Sequence, residues 1–183
     1  MAERIAETER LILRTWTSAD RLEYARHLNT PGVTRFVGGP QSEDDMAAAF
    51  ERIEGYQRDS GHTFWAVERK ADGAFLGFCG LKATNLPGTP VEKDVEIGWR
   101  LREDAWGQGY ATEAAKAVLQ WAWANLDVDR IVSFTIPSNR ASQRVMERIG
   151  MERREDLDFG HPNFAPGHQL SAHVAYAADR PRS

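Results

Sequence analysis

The stretch Leu101-Arg-Glu-Asp-Ala-Trp106-Gly107-Gln108-Gly109-Tyr110-Ala111-Thr112-Glu113-Ala114 decides the fold. Upstream of it, Val91–Leu101 reads as a strand. Downstream, Ala111, Ala114, Ala115, Val118, Leu119 and Ala122 recur at helical spacing, which predicts a helix to about Leu126 with its small-residue face packed closely on a sheet. Trp106–Ala111 is then a glycine-bearing turn from strand to helix. The first amides of a helix lack intrahelical acceptors and point at one spot, where the helix dipole adds partial positive charge. Together they suit a phosphate or pyrophosphate. Glycines let the backbone come close and take positive φ, and Ala111 leaves room for the anion. A Gly-x-Gly pair is also what a plain tight turn requires. No Gly-Lys-Ser/Thr follows, and the third glycine of a dinucleotide fingerprint is missing.

The remaining chain surrounds this turn with a mixed set of elements, in the order β, α, α, β, β, β, α, β, α, β, β. Arg10–Arg14 reads as a strand. Ser18 caps a helix to about Leu28, which Pro31-Gly32 breaks. Ser42, with Asp45 three residues on, caps a second helix to about Arg58. Phe64–Arg69 and Ala74–Leu81 form a hairpin around Ala71-Asp72-Gly73. Arg130–Ile136 is a strand, Ser138-Asn139 opens a short helix ended by Gly150, and strands near Met151–Asp156 and His168–Tyr176 close the chain. The pattern is an α/β (α+β) sheet with helices on its faces. It does not repeat βαβ units from the start, which argues against a doubly wound nucleotide fold.

The 183 residues fit one domain, 1–183, with no repeat or linker. A formal charge of -4 disfavours a nucleic-acid groove. The single cysteine, Cys79, allows no internal disulfide and no cysteine-based zinc site; it sits in an apolar run and reads as buried. Met1-Ala2-Glu3-Arg4 leads into no apolar h-region and no apolar run is long enough to span a membrane, so no signal peptide and a cytoplasmic location are expected.

Trp106–Ala111 resembles the acyl-CoA pyrophosphate loop of the GNAT N-acetyltransferase superfamily, Q/R-x-x-G-x-G/A. Gly109 and Ala111 fill the fourth and sixth places, and Trp106 stands where Gln or Arg is usual, as in the RimJ/RimL-type branch. Other segments are similar to that branch in order: Thr8–Arg14, Phe64-Trp-Ala-Val, Phe75–Leu81, Glu96–Leu101, Asn139-Arg-Ala-Ser142, Gly150-Met151, Pro162, Gly167-His168 and His173–Tyr176. The resemblance implies a GNAT fold: a mostly antiparallel sheet of six to seven strands, splayed at its centre and flanked by about four helices. It implies acetyl-CoA as cosubstrate and no metal. The amides of Gly107, Gln108, Gly109, Tyr110 and Ala111 would hold the pyrophosphate beside Trp106 and Thr112. The strand end at Trp99–Leu101 would pair with the pantetheine arm in a gap beside Arg130–Ile136. Asn139 matches the family's asparagine contact to the cofactor, and is equally a helix N-cap.

The implied reaction is attack of a primary amine on the thioester, the amine being a small molecule or a protein N-terminus. It needs a base for the amine and benefits from an acid for the thiolate. In Val95-Glu96-Ile97-Gly98-Trp99 the apolar residues alternate with Glu96, which therefore faces the other side of the strand as the candidate base. The family's tyrosine acid aligns with Met146, so Ser142, one turn earlier, is the substitute acid and also touches the cofactor. Structural readings compete: Glu96 as an ordinary strand residue, Ser142 as a small packing residue, His161, His168 and His173 as surface or structural residues. His168 and His173, five apart on one strand, would face opposite sides and share no metal. Tyr24, Arg35, Phe36 and the loop Phe159–His168 are expected on the acceptor side, and the helix face around Gln120 and Trp123 offers a homodimer contact. The vacant tyrosine place leaves a non-catalytic acyl-CoA-binding module as the alternative, and a plain structural domain as a third.

Overall fold

The computed structural model describes residues 2–181. Ser42 caps helix α3 (Glu43–Ser60) as its spacing to Asp45 predicts: the hydroxyl accepts from the Asp45 N–H at 3.2 Å and donates to the Asp45 carboxylate at 2.7 Å. Helix α1 (Ser18–His27) is capped one residue earlier than expected, by Thr17, whose N–H and hydroxyl donate to Asp20 at 2.7 and 2.8 Å. Pro31 does more than end α1. It opens a short helix α2 (Pro31–Thr34), with Thr30 accepting from the Val33 N–H at 3.2 Å, because proline's fixed φ suits a first helical turn.

Asp20 also receives two guanidinium bonds from Arg14, at 2.7 and 2.9 Å. Burial alone pushes its carboxyl up, but Arg14 and Thr17 outweigh that and hold it below the usual range. The stabilisation is therefore present above the ordinary carboxylate value and is lost as pH falls through the lowered native one. Arg14→Met strands this buried carboxylate and is expected to cost about 3–5 kcal/mol in urea denaturation at neutral pH. A cost below about 1 kcal/mol, the level of a surface pair, would contradict the burial argument.

Among the described residues the chain builds nine strands. They are β1 (Arg4–Glu7), β2 (Leu11–Arg14), β3 (Phe64–Arg69), β4 (Phe75–Ala83), β5 (Val95–Leu101), β6 (Arg130–Thr135), β7 (Glu152–Arg153), β8 (Phe159–Gly160) and β9 (Ala172–Asp179). The sheet runs β1-β2-β3-β4-β5-β6-β9-β7, with β8 beside β9, and is antiparallel except where β5 meets β6. This exceeds the expected six to seven strands because β1 and β8, of four and two residues, are too short to show a two-residue period.

Helices α4 (Tyr110–Asn125) and α5 (Arg140–Arg148) cover one face, α1–α3 the other. Ala114, Ala115, Val118 and Ala122 are fully buried against Leu13, Trp65 and Ile97, so the small-residue face of α4 lies close on the sheet as predicted. Opposite it, Tyr24, Leu28 and Phe50 pack on Ala66, Phe75 and Phe78, with Trp16 edge-on to Phe50 at 5.2 Å. Cys79 is buried and its thiol is pushed up by burial. No described helix is long and apolar enough to cross a membrane.

Three strands depart most from expectation. The strand expected at Val91 begins at Val95, because Thr84 bonds back to the Val91 and Asp94 carbonyls and folds the intervening residues into turns. The strand near Met151–Asp156 stops at Arg153, and Glu155–Leu157 forms a 3-10 turn. The closing strand starts at Ala172, since the Ser171 N–H bonds the His168 carbonyl at 2.9 Å in a turn. His168 is therefore off the strand, stacked on Phe164 at 5.1 Å, and the opposite-face argument for His168 and His173 does not hold.

Candidate active site

The turn ahead of α4 has the form its glycines require. Gly107 and Gly109 take φ of 74° and 82°, left-handed values that favour glycine. The first intrahelical bond runs from the Glu113 N–H to the Gly109 carbonyl at 3.0 Å. The amides before it have no helical acceptor and gather at the dipole's positive end. An ion pair with the N-terminal segment fixes this turn. The Glu113 carboxylate accepts from Thr8 Oγ1 at 2.5 Å, from the Arg10 N–H at 2.9 Å and from Arg10 Nε at 2.7 Å. Burial opposes the Glu113 charge, but these donors hold its carboxyl below the usual range. Arg10 also donates to the Gln108 carbonyl at 3.0 Å and lies 4.4 Å over the Tyr110 ring.

Beside the turn the sheet opens. β5 pairs with β4 from Val95 to Leu101, but meets β6 only at Val95↔Ile131 and Glu96↔Val132. From Ile97 onward the edge of β5 towards β6 has no ladder partner, an arrangement that an extended ligand completes. At the mouth of this gap lies a cavity of about 340 Å³, within the range of small-ligand sites. Trp99, Leu101, Trp106, Gly107, Gly109, Tyr110, Ala111 and Thr112 line one side, Asn139 and Ser142 the other. The Trp106 indole folds back and donates to the Leu101 carbonyl at 2.8 Å, tying the strand end to the turn. Asn139 caps α5, accepting from the Ser142 N–H at 3.3 Å, and donates to Thr135 at 2.9 Å.

Glu96 stands at the apex of the splay, on the face away from α4. Its Oε2 lies 3.3 Å from Lys82 Nζ yet is enclosed and accepts no hydrogen bond. A buried acceptor left open is a costly arrangement that an incoming donor relieves.

Residues 10–152 match the acetyltransferase (GNAT) domain. The chain belongs to the GNAT acetyltransferase family. The Bacillus subtilis (strain 168) protein YkkB is 30% identical over 145 residues, which cover 79% of this chain and 83% of YkkB. An acetyltransferase from Agrobacterium tumefaciens str. C58 is 29% identical, with a TM-score of 0.77 over 97% of this chain and 94% of its own. The RimL alpha-N-protein acetyltransferase in complex with Coenzyme A reaches the same TM-score of 0.77 at 17% identity, covering 97% of this chain and 98% of its own, a likeness of fold. This acetyltransferase thus has the GNAT fold, and acetyl-CoA is the acetyl donor of the GNAT domain.

Most of the residues expected around the cofactor in this acetyltransferase do converge on one cavity. Gln108 is not in the lining: its side chain turns away to donate to the Asp104 carbonyl at 2.8 Å, which leaves the role expected of it to its amide. Glu96 lies at the base of the gap and not in the cavity wall. Tyr24, expected on the acceptor side, is buried, with its hydroxyl engaged by Gln41 at 2.9 Å and Arg100 at 3.1 Å. Arg35 and Phe36 do border a second hollow of about 430 Å³, but Ser138, Gln169 and Leu170 join them there and not the expected loop Phe159–His168. Trp123, expected on a dimer face, lies partly under Arg180, whose guanidinium is 5.6 Å from its ring. Among the described residues no group of three or more His, Cys, Asp or Glu could hold a metal ion.

Sequence reasoning missed Arg100, Arg144 and Arg148 at the cavity, and gave Arg35 to the acceptor side. Arg35, Arg144 and Arg148 line it with exposed guanidiniums, and Arg100 lies deeper. In a chain of net charge -4 they make the mouth locally positive. Arg35 comes from the segment after α2, pressed against the turn after β5: Thr30 donates to Glu103 at 2.9 Å, and a Cβ at Gly32 would meet Glu103 Oε1 at 2.0 Å. The one signal in the sequence was the spacing of Arg144 and Arg148, four apart on a helix after Asn139.

Proposed function

We propose that this chain, one acetyltransferase domain over residues 1–183, is an N-acetyltransferase that moves the acetyl group of acetyl-CoA directly to a primary amine. The observation that carries this is the β5–β6 splay opening onto the glycine turn of α4, which offers an extended edge and an anion cradle in line. The amides of residues 107–111 hold the pyrophosphate, with Thr112 and the exposed arginines supplying further donors and charge. Gly98–Arg100 pair with the pantetheine arm, since the Leu101 carbonyl is already taken by Trp106. A free β5 amide polarises the thioester carbonyl and stabilises the oxyanion.

Glu96 is the base. The acceptor enters as an ammonium ion, donates to the open Oε2 and becomes nucleophilic as it loses the proton. Ser142, half-buried in the cavity wall, is the acid for the departing thiolate: its proton goes to the sulfur and is replaced by the proton that the nitrogen sheds as the amide forms. Ser142→Ala is expected to lower kcat about 10- to 100-fold while acetyl-CoA still binds; a kcat equal to wild type assigns the residue to packing. The acceptor is a protein N-terminus or a small amine, approached through the hollow bordered by Arg35, Phe36 and Gln169. A cytoplasmic location, where acetyl-CoA is available, fits this chemistry.

Met146, aligned with the family's tyrosine acid, is buried in the core, which favours the alternative of a non-catalytic acyl-CoA-binding module. Acetyl-CoA turnover over a panel of peptide N-termini and small amines, followed by thiol release, separates the two. Thiol release with at least one amine supports the enzyme, whereas tight acetyl-CoA binding with no turnover on any amine favours the module.

A further inference from the structure

Each turnover on an ammonium acceptor yields one proton, and Glu96 must shed it before the next cycle. The sheet beside Glu96 leads to an imidazole. Glu96 neighbours Val132, Val132 pairs with Ala177, and Phe134 pairs with Ala175. His173, two residues before Ala175 on β9, therefore projects from the same face as Glu96. Its ring is half-buried and held by three others: stacked on Phe159 at 5.4 Å, edge-on to Phe134 at 5.8 Å, and tilted against His161 at 5.1 Å.

The hydrogen bonds set the tautomers. His173 Nδ1 lies 3.1 Å from the Ser171 carbonyl, which only accepts, so Nδ1 carries the hydrogen and Nε2 keeps its lone pair. His161 Nδ1 accepts from the Asn163 N–H at 3.2 Å, which puts its hydrogen on Nε2. The ionisable neighbours are Glu96 on β5, Lys82 on β4, and His161 just after β8. Asp158 is occupied, accepting from the Ala175 N–H at 3.0 Å and pairing with Arg153.

We propose that His173 is the proton outlet of the acceptor site, relaying to bulk water the proton that Glu96 takes from the acceptor. This rests on the reading of Glu96 as base. The amine N–H bond breaks as the Glu96 O–H forms. Water carries that proton to His173 Nε2, and the imidazolium gives it up to solvent, so Glu96 returns as a carboxylate and nothing is oxidised or reduced. His173 acts through Glu96 and does not touch the substrate. Burial pushes its pKa down, the Ser171 carbonyl and Glu96 pull it back part of the way, and the ring rests neutral and able to accept near pH 7. His161 is held low by burial, by His173 and by Lys82, so it stays uncharged beside its partner.

The test begins without substrate. In labelled protein, 15N shifts of His173 are expected to show the Nδ1–H tautomer, and Glu96→Gln to lower the midpoint of its titration by removing a negative neighbour. His173→Phe keeps the stack on Phe159 and removes the nitrogen. With the fastest amine of the panel it is expected to lower kcat about tenfold near neutral pH, to displace the acid limb of the kcat–pH profile, to leave the KM for acetyl-CoA unchanged, and to regain activity with added imidazole. A His173 midpoint indifferent to Glu96→Gln, or a His173→Phe profile superimposed on wild type, overturns the relay. If Glu96→Gln is impaired in these runs, only the relay has failed; if Glu96→Gln is fully active, the base assignment has failed with it.

Discussion

Gly109→Asp is expected to weaken acetyl-CoA binding, with calorimetry reading a loss of about a hundredfold in affinity. The residue sits at φ 82°, immediately ahead of α4, and an added Cβ would meet nothing closer than the Arg10 guanidinium at 3.5 Å. Space is therefore not the obstacle. A carboxylate about 4 Å from a phosphate costs about 4 kcal/mol at the dielectric near a protein surface, and each 1.4 kcal/mol is tenfold. Salt and the neighbouring Arg10 reduce the penalty, which is why the expectation is about a hundredfold and not more. Gly109→Asn is the control. Asparagine tolerates the left-handed region and matches aspartate in size, so this variant is expected to stay within about tenfold of wild type. Equal affinity of the aspartate variant and wild type would place the anion site elsewhere.

Glu96→Gln is the second large effect. Positioned bases contribute about 10²- to 10⁴-fold, and glutamine keeps the size while removing the proton acceptor. The loss in kcat is expected at neutral pH and should narrow as pH rises towards the acceptor's own pKa, because the amine then arrives deprotonated. Acetyl-CoA affinity should not change, since Glu96 lies at the base of the gap outside the cavity wall. A pH-independent loss would indicate a structural role through Lys82, 3.3 Å away.

The parts legible in the sequence were those encoded locally. The buried face of α4 followed from the spacing of its alanines, the α3 cap from Ser42 and Asp45, and the outward turn of Glu96 from alternation along β5. The illegible parts depend on distant partners. β1 lacks a pattern long enough to read, and its pairing is decided by β2. Thr17 displaces Ser18 as a cap because Asp20 is also the partner of Arg14. The arginines at the cavity mouth come from α2's exit and from α5, and no local rule brings them together. The closing strand was misplaced by four residues because the turn at His168–Ser171 carries no glycine or proline after Gly167 to mark it.

The tie between Glu113 and the segment Thr8–Arg10 has a kinetic consequence. Its partners are 103 and 105 residues apart, so closing it carries the entropy of a long loop and comes after local structure has formed. Helix and hairpins can assemble early while the nucleotide cradle is still unset. Competence to hold acetyl-CoA is then a late property of the maturing chain, acquired when its first strands dock.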